Sequence, residues 1–291
     1  AVGMYGKNSK IENNNNISTL GDKAVGMYGV NSNLENKGNI NLNNITTVGM
    51  YGDSSNVVNT NTLNVNGEKS VGIYGENFSN IQNNQNILLG SSSAIERANT
   101  GIYNNSSAVN NGNIIGGNYS IGIYNTGNFD NFGNIQLGTG AVGVYSDGGN
   151  SIIHAGSTVS AGEAALLVKN GVLINDSTDI MGNFLGYAGV NGKLVNNANL
   201  NVKNTGFYSN MGELENNGII TSENNDAIFF YGDNAKIVNN NSINAAGTGS
   251  IGIYGKDSIL DNAGKITVGD SEINSKTNSK VNKYSMGIYG R

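Results

Sequence analysis

One pentapeptide sets the terms for the whole chain: Val2-Gly3-Met4-Tyr5-Gly6 returns as Val25 to Gly29, Val48 to Gly52 and Val71 to Gly75, each copy 23 residues after the last. Looser copies follow at Thr100 to Tyr103, Ile121 to Tyr124, Val142 to Tyr145, Thr205 to Tyr208, Ile228 to Tyr231, Ile251 to Tyr254 and Met286 to Tyr289. Self-similarity at a fixed period of 20 to 50 residues is the mark of a solenoid, in which each unit buries its apolar face only against its neighbours.

A second spacing runs inside each unit: an apolar residue, Asn two places on and another apolar residue six places on. Leu34/Asn36/Ile40, Val57/Asn59/Leu63, Phe129/Asn131/Ile135 and Ile237/Asn239/Ile243 follow it. Such short alternating runs, broken by Asn, Gly and Ser, signal strands and turns, and no helical period competes. Three short strands per 21 to 23 residues predict an all-β parallel β-helix of about 12 to 13 coils. At a strand spacing of about 4.8 Å this is a rod roughly 60 Å long. The chain divides into regular coils over 1–145, irregular coils over 146–190 and regular coils over 191–291, with insertions near 90–99 and 270–285. It starts and stops inside the motif, as a segment of a longer array would.

Asparagine makes up about a fifth of the chain. The recurring ones, Asn13, Asn36, Asn59, Asn83, Asn110, Asn131, Asn196, Asn216, Asn239 and Asn262, are expected to form a structural ladder. Each would sit at a corner in the left-handed turn conformation and pair its amide with those above and below. Between Ser146 and Ala188 the pattern weakens: Ala165-Leu166-Leu167-Val168 replaces the Gly-Tyr strand, and Ala155 and then Asp176 take the corner. An apolar outer face there is either covered or a contact site.

In the first strand, alternation places Val2, Met4 and their equivalents inside. The tyrosines would then form an exposed stacked ladder beside a groove of glycines. Tyr28, Tyr51 and Tyr74 are candidate ligand-binding residues, because a flat aromatic face suits a sugar or a protein partner. So are Glu96, Arg97, Lys276, Lys280 and Lys283, since solenoid insertions become surface loops and binding residues gather there.

Composition excludes several function classes. With a net charge of −5 no basic surface holds phosphates, so nucleic acid is not an expected partner. There is no cysteine, and His154 is the single histidine, which leaves no thiolate or multi-histidine metal site. No nucleophile signature or phosphate loop is present, and the carboxylates are scattered rather than paired for glycan cleavage. No enzyme activity, metal or cofactor is expected. No apolar stretch reaches 18 residues, so the segment is not expected to insert in a membrane.

The repeated Val-Gly-Met/Ile-Tyr-Gly with Asn-rich turns, as in Val48 to Gly52 followed by Val57-Val58-Asn59, resembles the passenger region of the large fusobacterial autotransporter adhesins. The resemblance covers nearly the whole chain and weakens from Ser146 to Ala188. It implies a right-handed β-helix secreted by the type V route and displayed outside the cell by a C-terminal outer-membrane barrel not contained in these residues. It also implies attachment of a monomeric rod to host-cell or bacterial surface receptors, protein or glycan, with an immune-cell receptor among the candidates. The absence of Cys and Pro fits export in an unfolded state. Two other readings stand beside adhesion: a purely structural stalk that projects a distal tip, and a glycan-active β-helix enzyme.

Overall fold

The computed structural model describes residues 1–272 and 283–291. Its strands stack in parallel into a β-solenoid of about 12 turns with three strands per turn and, among the described residues, one short 3-10 turn at Ile95–Arg97. The Gly-Tyr strands form one 13-stranded sheet and the Asn-terminated strands a 12-stranded sheet. The short third strands form an eight-stranded sheet as far as Asp179–Met181 and a four-stranded sheet from Leu200–Asn201 onward.

Register is set by the repeat itself. Tyr28 pairs with Tyr51, Leu34 with Val57 and Ile40 with Leu63, so like residues lie above like. Met27, Leu34, Ile40 and Leu42 and most of their equivalents enter one continuous apolar core, although Ser151 and Gly186 take two of these positions in the irregular coils. A fully buried aliphatic side chain of this size contributes about 2 kcal/mol, and such a side chain recurs at most of the equivalent positions. The corners bond coil to coil as well: the Asn31 amide donates to the Asp53 carbonyl at 3.0 Å. Asn31, Ser54, Asn191, Asn234 and Asp257 turn that corner with φ between 48° and 57°, a conformation Asn and Asp tolerate better than most residues.

Two expectations about facing are corrected. Pairing in the first sheet runs from Val25–Val48 to Met27–Met50 and passes over Gly26. Gly26 and Met27 are both buried while Val25 is only half-buried. The alternation therefore slips by one, and the Val position lies outward with the tyrosine instead of inward with the methionine. Gly29 does not border an outer groove. A Cβ there would meet Leu34 Cδ1 at 2.1 Å, so it faces the core and makes room for that leucine.

The asparagine ladder is present, but not in left-handed turns. Asn36 and its equivalents end extended strands such as Asn33–Asn36 and are buried, apart from the half-buried Asn262. The Nδ2 group of each donates to the Oδ1 of the next at 2.7–2.9 Å, from Asn13 to Asn131 and again from Asn175 to Asn262. Most also donate to the carbonyl two residues on, as Asn83 does to Gln85. The rungs in the irregular coils are Ile153 and Asn175, not Ala155 and Asp176. The turns that follow them are longer than in neighbouring coils, which hides the spacing.

Candidate functional site

The outer face of the 13-stranded sheet carries the most extended array of like side chains. Because register stacks tyrosine on tyrosine, Tyr5, Tyr28, Tyr51, Tyr74, Tyr103, Tyr124 and Tyr145 form a column. Their ring centroids are 4.6–5.4 Å apart. A second column runs from Tyr187 through Tyr208, Tyr231 and Tyr254 to Tyr289 at 4.8–5.3 Å. Rings at this separation attract one another by about 0.5–1.5 kcal/mol per pair beyond burial. The column is therefore a stabilising element as well as a surface. Beyond Tyr5, which is 61% exposed at the first turn, Tyr28, Tyr51 and Tyr74 are half-buried: Tyr51 and Tyr74 stack face to face, and Tyr28 meets Tyr51 edge-on.

Carboxylates two residues past the tyrosines rim this face. Glu76 accepts hydrogen bonds from the phenols of both Tyr51 and Tyr74, and Asp147 accepts from Tyr124 at 3.3 Å. Burial in the column, followed by the neighbouring carboxylate charge, pushes Tyr74 and Tyr124 up to about 12. Tyr51 rises further still, through burial and then its Glu76 bond. These phenols stay protonated as hydrogen-bond donors across the physiological range.

The two tyrosine columns are separated by one rung. Leu167 pairs with Tyr145 on one side and Tyr187 on the other. Leucine is shorter than tyrosine, and the face is hollow on both sides of it. One hollow of about 300 Å³ lies among Val142, Leu167, Phe184 and Tyr187, with Glu163 at its edge. Another of about 400 Å³ lies among Tyr145, Leu167, Tyr187, Val190 and Met211, with Lys169 at its edge. This is the irregular stretch seen in the sequence, and no loop among the described residues covers Leu167, which stays half-buried.

The insertion candidates fare differently. Arg97 is ion-paired with Glu68, whose other oxygen accepts the Ser93 amide at 2.8 Å. Asn99 returns to the interior, donating to the Gly90 carbonyl at 3.2 Å. The 90–99 insertion is thus clasped onto the coil before it, with Glu96 exposed on its outer turn. Lys283 is ion-paired with Asp226. Lys276 and Lys280 lie outside the described residues. Among the described residues, loop and tyrosine candidates do not converge on one site.

Sequence reasoning passed over Phe78 and did not foresee the partners of His154. Phe78 is an extra residue in its corner, 94% exposed, with a left-handed backbone; the spacing of 24 rather than 23 between Ser55 and Ser79 marks it. His154 stacks on Phe132 with centroids 4.0 Å apart and hydrogen-bonds Asp130 at 2.7 Å. Among the described residues, no three or more His, Asp and Glu groups are arranged to hold a metal ion. Compared with protein-family models, curated proteins and solved structures, the chain matches none of them.

Proposed function

We propose that this rod is a non-catalytic attachment segment, displayed at a cell surface as autotransporter passengers are, which meets host-cell or bacterial receptors through its tyrosine face. The observation that carries the reading is the pair of ring columns along one side, interrupted at a single apolar rung. Tyrosine brings large contact area, few rotatable bonds and a phenol that can hydrogen-bond, and it is enriched at protein interfaces for those reasons. The columns hold these rings rigid before any partner arrives, which lowers the ordering cost of binding.

A structural spacer is the second reading. It draws on two ion pairs among the described residues, Arg97 with Glu68 and Lys283 with Asp226, which engage these charges within the rod.

The test is binding of the purified chain to epithelial cells, immune cells, partner bacteria and a glycan array. It is run beside Tyr51→Thr/Tyr74→Thr and beside a variant trimmed at 90–97. Binding that falls at least tenfold in the tyrosine variant and survives the trimming supports the tyrosine face. Binding lost only on trimming moves the contact to the loop. No binding by the intact chain favours the spacer.

A further inference from the structure

The missing rung has a definite shape. Tyr145 and Tyr187 stand two coils apart, about 9.6 Å at the strand spacing, and the side chain between them is Leu167. Elsewhere on the face each such interval holds a ring 4.6–5.4 Å from its neighbours. The hollow of about 400 Å³ beside Leu167 is lined by both tyrosines, so a planar ring seated there would have a tyrosine on each side. The walls beside it are mostly hydrocarbon, Val142 and Phe184 on one side and Val190 and Met211 on the other, with Asn210 the one amide side chain among them. Val190 and Met211 are 39% and 53% exposed.

We propose that this gap is a docking slot for an aromatic side chain of a protein partner, seated between Tyr145 and Tyr187 over Leu167. The proposal rests on the attachment reading and names the partner chemistry of that same face. An aromatic side chain fits better than a sugar because the walls offer few groups to satisfy ring hydroxyls, and burying a hydroxyl without a partner is unfavourable. Methionine at the rim adapts to rings of different size. Charge gives the partner a direction. Glu163 stands at one mouth, so the favoured segment carries a basic residue on the Glu163 side of its aromatic; at the other mouth Lys169 lies in register with Asp147, and the two opposite charges set no preference there.

The experiment uses displayed twelve-residue peptide libraries selected on the intact chain, with Leu167→Tyr as the counter-target. That substitution supplies the missing ring and fills the slot. The expected result is enrichment of Phe, Tyr or Trp at one fixed position, and at least tenfold weaker binding of the selected peptides to L167Y. A Glu163→Lys variant, altered only at an exposed residue, should turn the flanking preference from basic to acidic even if L167Y fails to fold. Selection of no aromatic residue, or equal binding to both proteins, would overturn the proposal. Glycan binding that L167Y abolishes would make the occupant a sugar. Self-association that it abolishes would make the occupant a second copy, and either result replaces the proposed partner. Cell binding by the intact chain that L167Y leaves unchanged would overturn the slot and leave the attachment reading standing. Aromatic peptides lost on L167Y, with no cell bound by the intact chain, would do the reverse.

Discussion

Asn59 accepts the side-chain amide of Asn36 at 2.9 Å and donates its own to Asn83 at 2.8 Å, with all three fully buried. Replacing Asn59 by Leu leaves a donor on one side and an acceptor on the other without partners. Each orphaned group costs about 1–3 kcal/mol, so Asn59→Leu is expected to lower stability by roughly 2–5 kcal/mol. A urea titration reads this directly, and an unchanged midpoint would refute the ladder as a stabilising element. Ile153→Asn is the matching control. It joins the two ladders while giving up one buried isoleucine, and it should cost less than Asn59→Leu.

Glycine is required where one coil's backbone rests on the next. A Cβ on Gly38 would lie 1.7 Å from the Asn15 carbonyl oxygen, whereas one on Gly21 would have no heavy atom within 4 Å. Backbone cannot swing aside as a side-chain tip can. Gly38→Ala is expected to cost more than about 2 kcal/mol, in the range of overpacking, and Gly21→Ala under about 0.5 kcal/mol. Paired thermal melts separate the two.

Alkali should loosen the tyrosine columns. The folded state holds the Tyr74 and Tyr124 protons up to about 12, against an ordinary phenol value of 10.0. A raised folded value means the stabilisation is complete below pH 10 and is lost as pH climbs from about 10 to about 12. Absorbance at the phenolate band should show a class of tyrosines ionising late, and in Glu76→Gln part of that class should move back toward 10. Late ionisation that Glu76→Gln leaves untouched would remove the carboxylate as a cause.

The Arg97–Glu68 pair joins two half-exposed side chains. Exposed pairs contribute about 0–1 kcal/mol, so Arg97→Ala should barely move the melting temperature. Its effect should appear locally, as faster proteolysis within 93–98 once the clasp is released. Equal cleavage rates in both proteins would show that the Ser93–Glu68 and Asn99 bonds hold the insertion without Arg97.

The repeat made the solenoid, its in-register pairing and ten of the ladder asparagines legible, because each depends only on a period and on which residue stacks on which. What escaped depends on local slips in that period. Gly26, skipped in the pairing, moved Val25 to the outer face. Longer turns after Ile153 and Asn175 hid the true rungs. The engagement of Arg97 escaped for a different reason: Glu68 lies 29 residues earlier, and nothing in the spacing shows that the insertion folds back.

Three interruptions share one stretch of the rod: Ile153 in the amide ladder, Leu167 in the tyrosine columns, and the break in the third sheet between Met181 and Leu200. Each coil leans only on the coils next to it. Under a pull along the axis the coils are therefore loaded in series, and every junction bears the whole force. Backbone pairing in the first two sheets continues through this stretch, but the cross-links that reinforce it elsewhere are thinned. A rod tethered at one end and gripped at the other would part there, in the middle, with a block of intact coils on each side.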